Sequence, residues 1–381
     1  MRKNVFLWIC SGLLLLASCT KDDIVTPSKH HISAAADQDD DNATVTDDYT
    51  YKLPIIFHVL YQNAADTMQH VHASRLKTMV KYLNELYQGG TYGTSSAMKV
   101  DFLLAKTDEQ GNLLSTPGIE YIKWTGEYPI DFQKFMESQD NVKYLWEPGE
   151  YINVMVYPFK PGDGEQHSST LGISHLPLMP KALTDSLEGL RRVDYTELTK
   201  RNLNYPFCTS INSDYIYQES SRYKDRDKGA KGYEFSSVDV NVTLAHELGH
   251  YLGLHHVFTE NDTAMVDSCG DTDYCKDTPS YNRVEYEKEL KAYLDTVKAN
   301  LFDLYKILER QPCTGKTFHA CNFMDYDMNL GYQFTDEQVK RMRTVLYYGL
   351  LIPGPKKSLP KLRSIMPPPE DTVNLPMTLR K

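Results

Sequence analysis

Residues Val240–Phe258 read VNVTLAHELGHYLGLHHVF and place histidines at 246, 250 and 256, a glutamate at 247 and a glycine at 253. This spacing constrains the fold more than any other feature of the chain. On an α-helix, residues four apart share a face, so His246 and His250 can reach one metal ion. Val240, Leu244, Leu248 and Leu252 form an apolar stripe on the other side. Gly253 can take the positive φ that ends a helix, which lets the chain swing His256 back as a third ligand. Three protein ligands leave a fourth position for water, the arrangement of catalytic rather than structural zinc sites. Glu247 is angled away from direct ligation but can reach a water at that position, as a general base must. His255 is a neighbouring imidazole; the Gly253 spacing selects His256. Such a pattern arises by chance with a probability on the order of 10⁻⁵–10⁻⁴ across the chain.

With Asn322-Phe323-Met324-Asp325-Tyr326 further on, the motif resembles the metzincin clan of zinc metallopeptidases, and within it the pappalysin (cytophagalysin-like) family. The segments PIIFHVLY, FLLAKTDEQGNLLSTPGIE and YINVMVY, and Asp273-Tyr274-Cys275-Lys276-Asp277-Thr278-Pro279, match that family in order. So does Phe334-Thr335 with Gln338, Arg341 and Met342, and the resemblance runs over roughly residues 51–348. It implies an α/β (α+β) fold: a twisted, mixed five-stranded sheet with a backing helix and an active-site helix, over a smaller irregular lower subdomain. The division falls near 51–253 and 254–348. It implies Zn²⁺ at His246, His250 and His256, Glu247 as catalytic base, and Met324 as an apolar floor beneath the imidazoles. Tyr326 would stabilise the oxyanion. Relatives can bind Ca²⁺ in the loop that here holds Asp267, Asp271, Asp273, Asp277 and Thr278; a solvated acidic loop fits equally well. The implied activity is endopeptidase cleavage of proteins or peptides. A metzincin-like domain that binds peptide, glycan or a partner without hydrolysis is the alternative, and a hydrolase of non-peptide amides would share the same groups.

Before this domain, Arg2 and Lys3 precede an apolar or small run, Val5–Ala17. Thirteen residues at ~1.5 Å each fall short of a ~30 Å hydrocarbon core, so residues 1–18 read as a signal peptide. Leu16-Ala17-Ser18-Cys19 resembles the bacterial lipobox, which implies lipidation of Cys19 and anchoring in the cell envelope, at the outer membrane. From Thr20 to Thr50 there are eight Asp against two Lys and almost nothing apolar, so residues 19–50 read as an acidic tether. This segment carries −6 of the total formal charge of −10. Net acidity argues against nucleic acid as a partner. A monomer is expected. His30, His31 or a tether Asp are candidates for capping the zinc in a latent form.

Leu53–Tyr61 is a continuous apolar run of strand length, Ser74–Gly89 shows helical periodicity, and Met98–Ala105 and Glu150–Phe159 are further strands. Short strands are expected near Leu171–Leu176 and Asp214–Tyr217, the former as the edge that pairs with substrate. A long amphipathic helix is expected at about 282–310, as an insertion beside the cleft. Residues 349–381 read as an irregular Pro-rich tail.

Of seven cysteines, Cys10 falls in the signal and Cys19 in the lipobox. Export makes disulfides expected among Cys269, Cys275, Cys313 and Cys321: two bonds, in one of three pairings. Cys208 is left over and expected to be buried.

Overall fold

The run at Leu53–Leu60 becomes the central strand β1, Tyr51–Tyr61, whose interior is buried on both faces. The computed structural model describes residues 45–183, 187–224, 233–261, 264–297, 301, 303–326, 328–358 and 374–380. The signal segment, Cys19, His30, His31 and the tether up to residue 44 lie outside the described residues. Among those described, no helix is long and apolar enough to cross a membrane.

Five further strands are β2 (Val100–Leu104), β3 (Ile119–Lys123), β4 (Ile152–Tyr157), β5 (Gly172–His175) and β6 (Thr209–Asn212). A seventh, β7, is Met377–Arg380. The order is β7-β5-β6-β4-β1-β2, with β3 also paired to β1. Residues 51–55 of β1 pair with β2 and residues 57–61 with β3, so the two act as one interrupted edge. β1, β2, β3, β4 and β6 are mutually parallel, and β5 runs antiparallel to β6. The fold is therefore the expected mixed α/β arrangement, with one strand position more than the five foreseen. That extra position is β7, which comes from the tail read as irregular. Met377-Thr378-Leu379-Arg380 alternates apolar and polar, but four residues in a Pro-rich tail are too few to read as a strand; the β5 edge supplies the pairing.

Two helices back the sheet. In α1, Ala73–Gln88, the periodic residues Leu76, Met79, Val80, Leu83, Leu86 and Tyr87 are all buried. Gly89 stops it at φ +70°, and any β-carbon there would fall 2.7 Å from the Ser95 carbonyl oxygen. α2, Val240–Tyr251, carries the zinc motif and packs beside α1, where the Tyr87 hydroxyl donates to the Ala245 carbonyl at 3.0 Å.

Two expected elements differ. Ser213–Tyr215 is a 3₁₀ turn, and the strand lies just before it as β6. The Asn212 side chain accepts the Asp214 N–H at 3.1 Å, which favours a turn over a strand. In place of one helix over 282–310 there are α3, Arg283–Thr296, and α4, Leu304–Leu308. The apolar stripe is not a packing face along its length: Leu294, Leu301 and Tyr305 are exposed. What anchors α3 is its first turn, Arg283 and Tyr286.

The last helix, α5, spans Asp336–Tyr348. It starts with a capping box: the Thr335 hydroxyl accepts the Gln338 N–H, and Gln338 Oε1 accepts the Thr335 N–H. The Arg341 Nε donates to the Gly253 carbonyl at 2.6 Å, which ties α5 to the end of α2.

Candidate active site

α2 begins at Asp239, whose carboxylate accepts the N–H groups of Asn241 and Ser220 at 3.0 Å each. A carboxylate at this end also complements the helix dipole. Every residue of α2 is buried, not only the stripe of Val240, Leu244 and Leu248. The sheet covers one side, and the turn that carries Met324 covers the other.

His246 Nδ1 lies 2.6 Å from the Phe323 carbonyl oxygen and His250 Nδ1 lies 2.8 Å from that of Leu254. A carbonyl only accepts, so both rings carry their proton on Nδ1 and turn the Nε2 lone pair inward. His256 Nδ1 likewise donates to the Glu260 carboxylate at 2.7 Å. Gly253, at φ +91°, makes the turn that brings His256 back. The His250 Nε2 stands 3.0 Å from the His246 Nε2 and 3.1 Å from the His256 Nε2. Tetrahedral bonds of ~2.0–2.1 Å to one zinc ion set ligand atoms ~3.3 Å apart, so the spacing fits. Three converging lone pairs with no proton to share repel unless a cation lies among them. The donor set therefore fits a divalent metal. Among the described residues it is the one group of His, Cys, Asp or Glu close enough to hold an ion. His255 points elsewhere, its ring against Tyr274.

Glu247 is fully buried beside β5. A β-carbon at Gly172 would lie 2.6 Å from its Cγ, so glycine is what lets the strand pass this close. Nothing in the sequence marks Gly172, because the approach joins segments 75 residues apart.

Met324 is buried beneath the histidine helix. A β-carbon at Gly249, between His246 and His250 of α2, would fall 2.5 Å from the Met324 Sδ. The turn around it is held by its neighbours. Asn322 Oδ1 accepts the Met324 N–H at 2.9 Å, and its side chain exchanges two hydrogen bonds with Gln338 of α5.

Tyr326 packs edge-on to His256, ring centroids 4.6 Å apart, and against Phe258. Burial, then the carboxylates of Glu260 and Glu247, pushes its phenol pKa well up, so it stays protonated. Asp325, adjacent to it, accepts from Tyr281 OH at 2.5 Å, Arg283 Nη1 at 3.3 Å and Arg310 Nε at 3.2 Å. Arg310 is itself fully buried. Sequence reasoning missed Glu260, Tyr281, Arg283 and Arg310. None sits in a motif, and three of the four reach the site only because the long loop folds back over it.

The acidic loop does not converge on an ion. Asp273 accepts from the Thr278 hydroxyl at 2.6 Å and the Cys275 N–H at 3.0 Å. Asp277 turns outward to the start of α5, accepting from Thr335 Oγ1 and the Glu337 N–H. The calcium expectation gains no support from this. One disulfide joins Cys269 to Cys313, Cα atoms 5.5 Å apart. The expected second bond is not formed: Cys275 is a buried free thiol, and Cys321 donates to Gln333 Oε1. The fold lodges these two, which stand far apart in the chain, against different partners. Cys208 is buried and free, as expected.

Comparison with known proteins bears on this geometry. Residues 229–347 match the family model described as pregnancy-associated plasma protein-A, of the peptidase family M43. An extracellular metalloprotease of Arthroderma benhamiae is 42% identical over 52 residues, 14% of this chain and 17% of the relative. The extracellular metalloprotease of Arthroderma otae matches with the same identity and coverage. The match thus spans under a fifth of these relatives' own length. Among solved structures, mature mirolysin of Tannerella forsythia, in complex with a cleaved peptide, is 19% identical. It aligns with a TM-score of 0.48 over 78% of this chain and 92% of that one. A promirolysin mutant from the same organism is 18% identical, with a TM-score of 0.45 over 78% of this chain and 80% of that one. The matched residues 229–347 are the ones that build the site, with its three-histidine group and the turn beneath it, and over them the chain is similar to metallopeptidases of family M43.

Proposed function

We propose that the protein is a zinc-dependent endopeptidase that hydrolyses peptide bonds of proteins or peptides, with Glu247 as general base. The observation that carries this is the convergence of three Nε2 lone pairs beside a buried glutamate. A zinc ion held by His246, His250 and His256 supplies Lewis acidity, lowering the pKa of water from ~15.7 towards ~7. Glu247 takes the proton of the attacking water and returns it to the leaving amine. The Tyr326 phenol, kept protonated by its surroundings, donates to the developing oxyanion. An extended substrate aligns along the β5 edge by strand pairing. The Cys19 motif further supports a lipid-anchored protein of the bacterial cell envelope; Cys19→Ser would then abolish labelling by a fatty-acid probe.

The decisive experiment profiles cleavage of a peptide library by the zinc-loaded chain, by a chelated control and by Glu247→Ala. The variant should bind zinc normally and lose at least ~10²–10⁴-fold in kcat. Retained turnover would remove Glu247 from its role. Zinc binding with no turnover by any form would favour the non-hydrolytic alternative.

A further inference from the structure

β5 should be the open edge that receives substrate, yet it is covered. Met377–Arg380 pairs with it antiparallel, Met377 opposite His175 and Arg380 opposite Gly172. Gly172 is the residue whose backbone packs on Glu247, so this pairing runs up to the catalytic glutamate. The Leu176 N–H donates to the Pro376 carbonyl at 2.8 Å and extends the ladder. Just before it the chain is pinned. Leu375 is buried, and Asn374 accepts from Arg191 Nη1 and from Asn204 Nδ2 at 2.7 Å each. Glu247, His246 and His250 are fully buried, and His256 and Tyr326 nearly so.

We propose that residues 374–380 are an intramolecular occupant of the substrate's strand position, holding the enzyme in a self-inhibited form. This rests on the peptidase reading above. The direction is that of any added strand: an extended peptide on an antiparallel edge forms main-chain bonds largely independent of its side chains. A tethered segment of ordinary sequence therefore competes with every substrate by the same bonds, at a high effective concentration. It also protects an exposed sheet edge from pairing with other chains. Activation is then displacement or removal of the segment, and no rearrangement of the zinc helix is needed.

The test compares the full chain, a deletion of residues 374–381, and Leu375→Asp, which unseats the anchor while leaving the chain length unchanged. On a quenched peptide substrate both variants should lower KM with kcat unchanged. A segment seated nine-tenths of the time gives about a tenfold change. Fluorescently labelled Asn-Leu-Pro-Met-Thr-Leu-Arg-Lys should bind the deletion variant by anisotropy, fail to bind the full chain, and inhibit the variant competitively. Equal KM in all three proteins, together with no peptide binding, overturns the proposal and leaves the peptidase reading intact. Peptide binding to the deletion variant with no hydrolysis by any form supports the seat and sinks the peptidase reading instead.

Discussion

The Glu260 carboxylate accepts the Nδ1–H of His256 at 2.7 Å and the backbone N–H of the same residue at 3.3 Å. It thus sets both the ring orientation and the tautomer of His256. Burial works against its charge, but the neighbouring His256 and His255 and its hydrogen bonds hold its carboxyl below the usual range. Replacing it with alanine should weaken zinc affinity by ~10–100-fold, the usual effect of losing such a partner. Competition with a chromogenic chelator measures this. Unchanged affinity would mean that packing alone orients His256.

Gly249 packs directly against Met324. In an exposed helix, Gly→Ala stabilises by about 1 kcal/mol. Here the added methyl would meet the Met324 Sδ, and overpacking should reverse the sign, costing about 1–3 kcal/mol. In a Met324→Ala background the same substitution should become neutral or stabilising. A double-mutant cycle from urea unfolding tests this; additive effects would show that the two residues do not touch in solution.

Arg310 and Arg283 jointly balance the buried Asp325. Arg310→Met strands part of that negative charge beside Tyr326 and should cost about 3–5 kcal/mol of unfolding free energy. A loss under about 1 kcal/mol would show that Arg283 suffices.

Asp273 is shifted the other way. Burial, opposed in part by its Thr278 and Cys275 hydrogen bonds, raises its pKa from 3.8 to about 7. The folded state thus binds this proton more tightly than the unfolded state does. The stability it contributes is complete below pH ~4 and is lost as pH rises through ~7. Asp273→Asn should flatten that fall in Tm between pH 4 and 7. An unchanged Tm profile in the variant would place the pH dependence elsewhere.

Much of the site was legible because its chemistry is local. His246, Glu247 and His250 lie within five residues on one helix, and Gly253 and His256 follow by a short turn, so spacing alone predicts their meeting. The run at Leu53–Leu60 and the period of α1 were legible for a similar reason, since burial on two faces or on one stripe writes itself into neighbouring residues. The expected helix over 282–310 shows the limit. A periodic stripe reports what a segment could bury, and the chain instead broke it between Thr296 and Leu304 and left much of the stripe exposed.

The sequence by itself thus determined the three-histidine group, the glutamate beside it and the segments that become β1, β2 and β4, all of which follow from residues close together in the chain. Only the tertiary structure decided that Cys269 bonds to Cys313 while Cys275 and Cys321 stay reduced, and that Arg283 and Arg310 converge on Asp325. It also decided that the β5 edge is closed by a strand from the tail. Each of these depends on where distant segments come to rest. The main-chain groups of Met377–Arg380 are the same as those of any other four residues, so only the neighbouring edge could tell them where to pair.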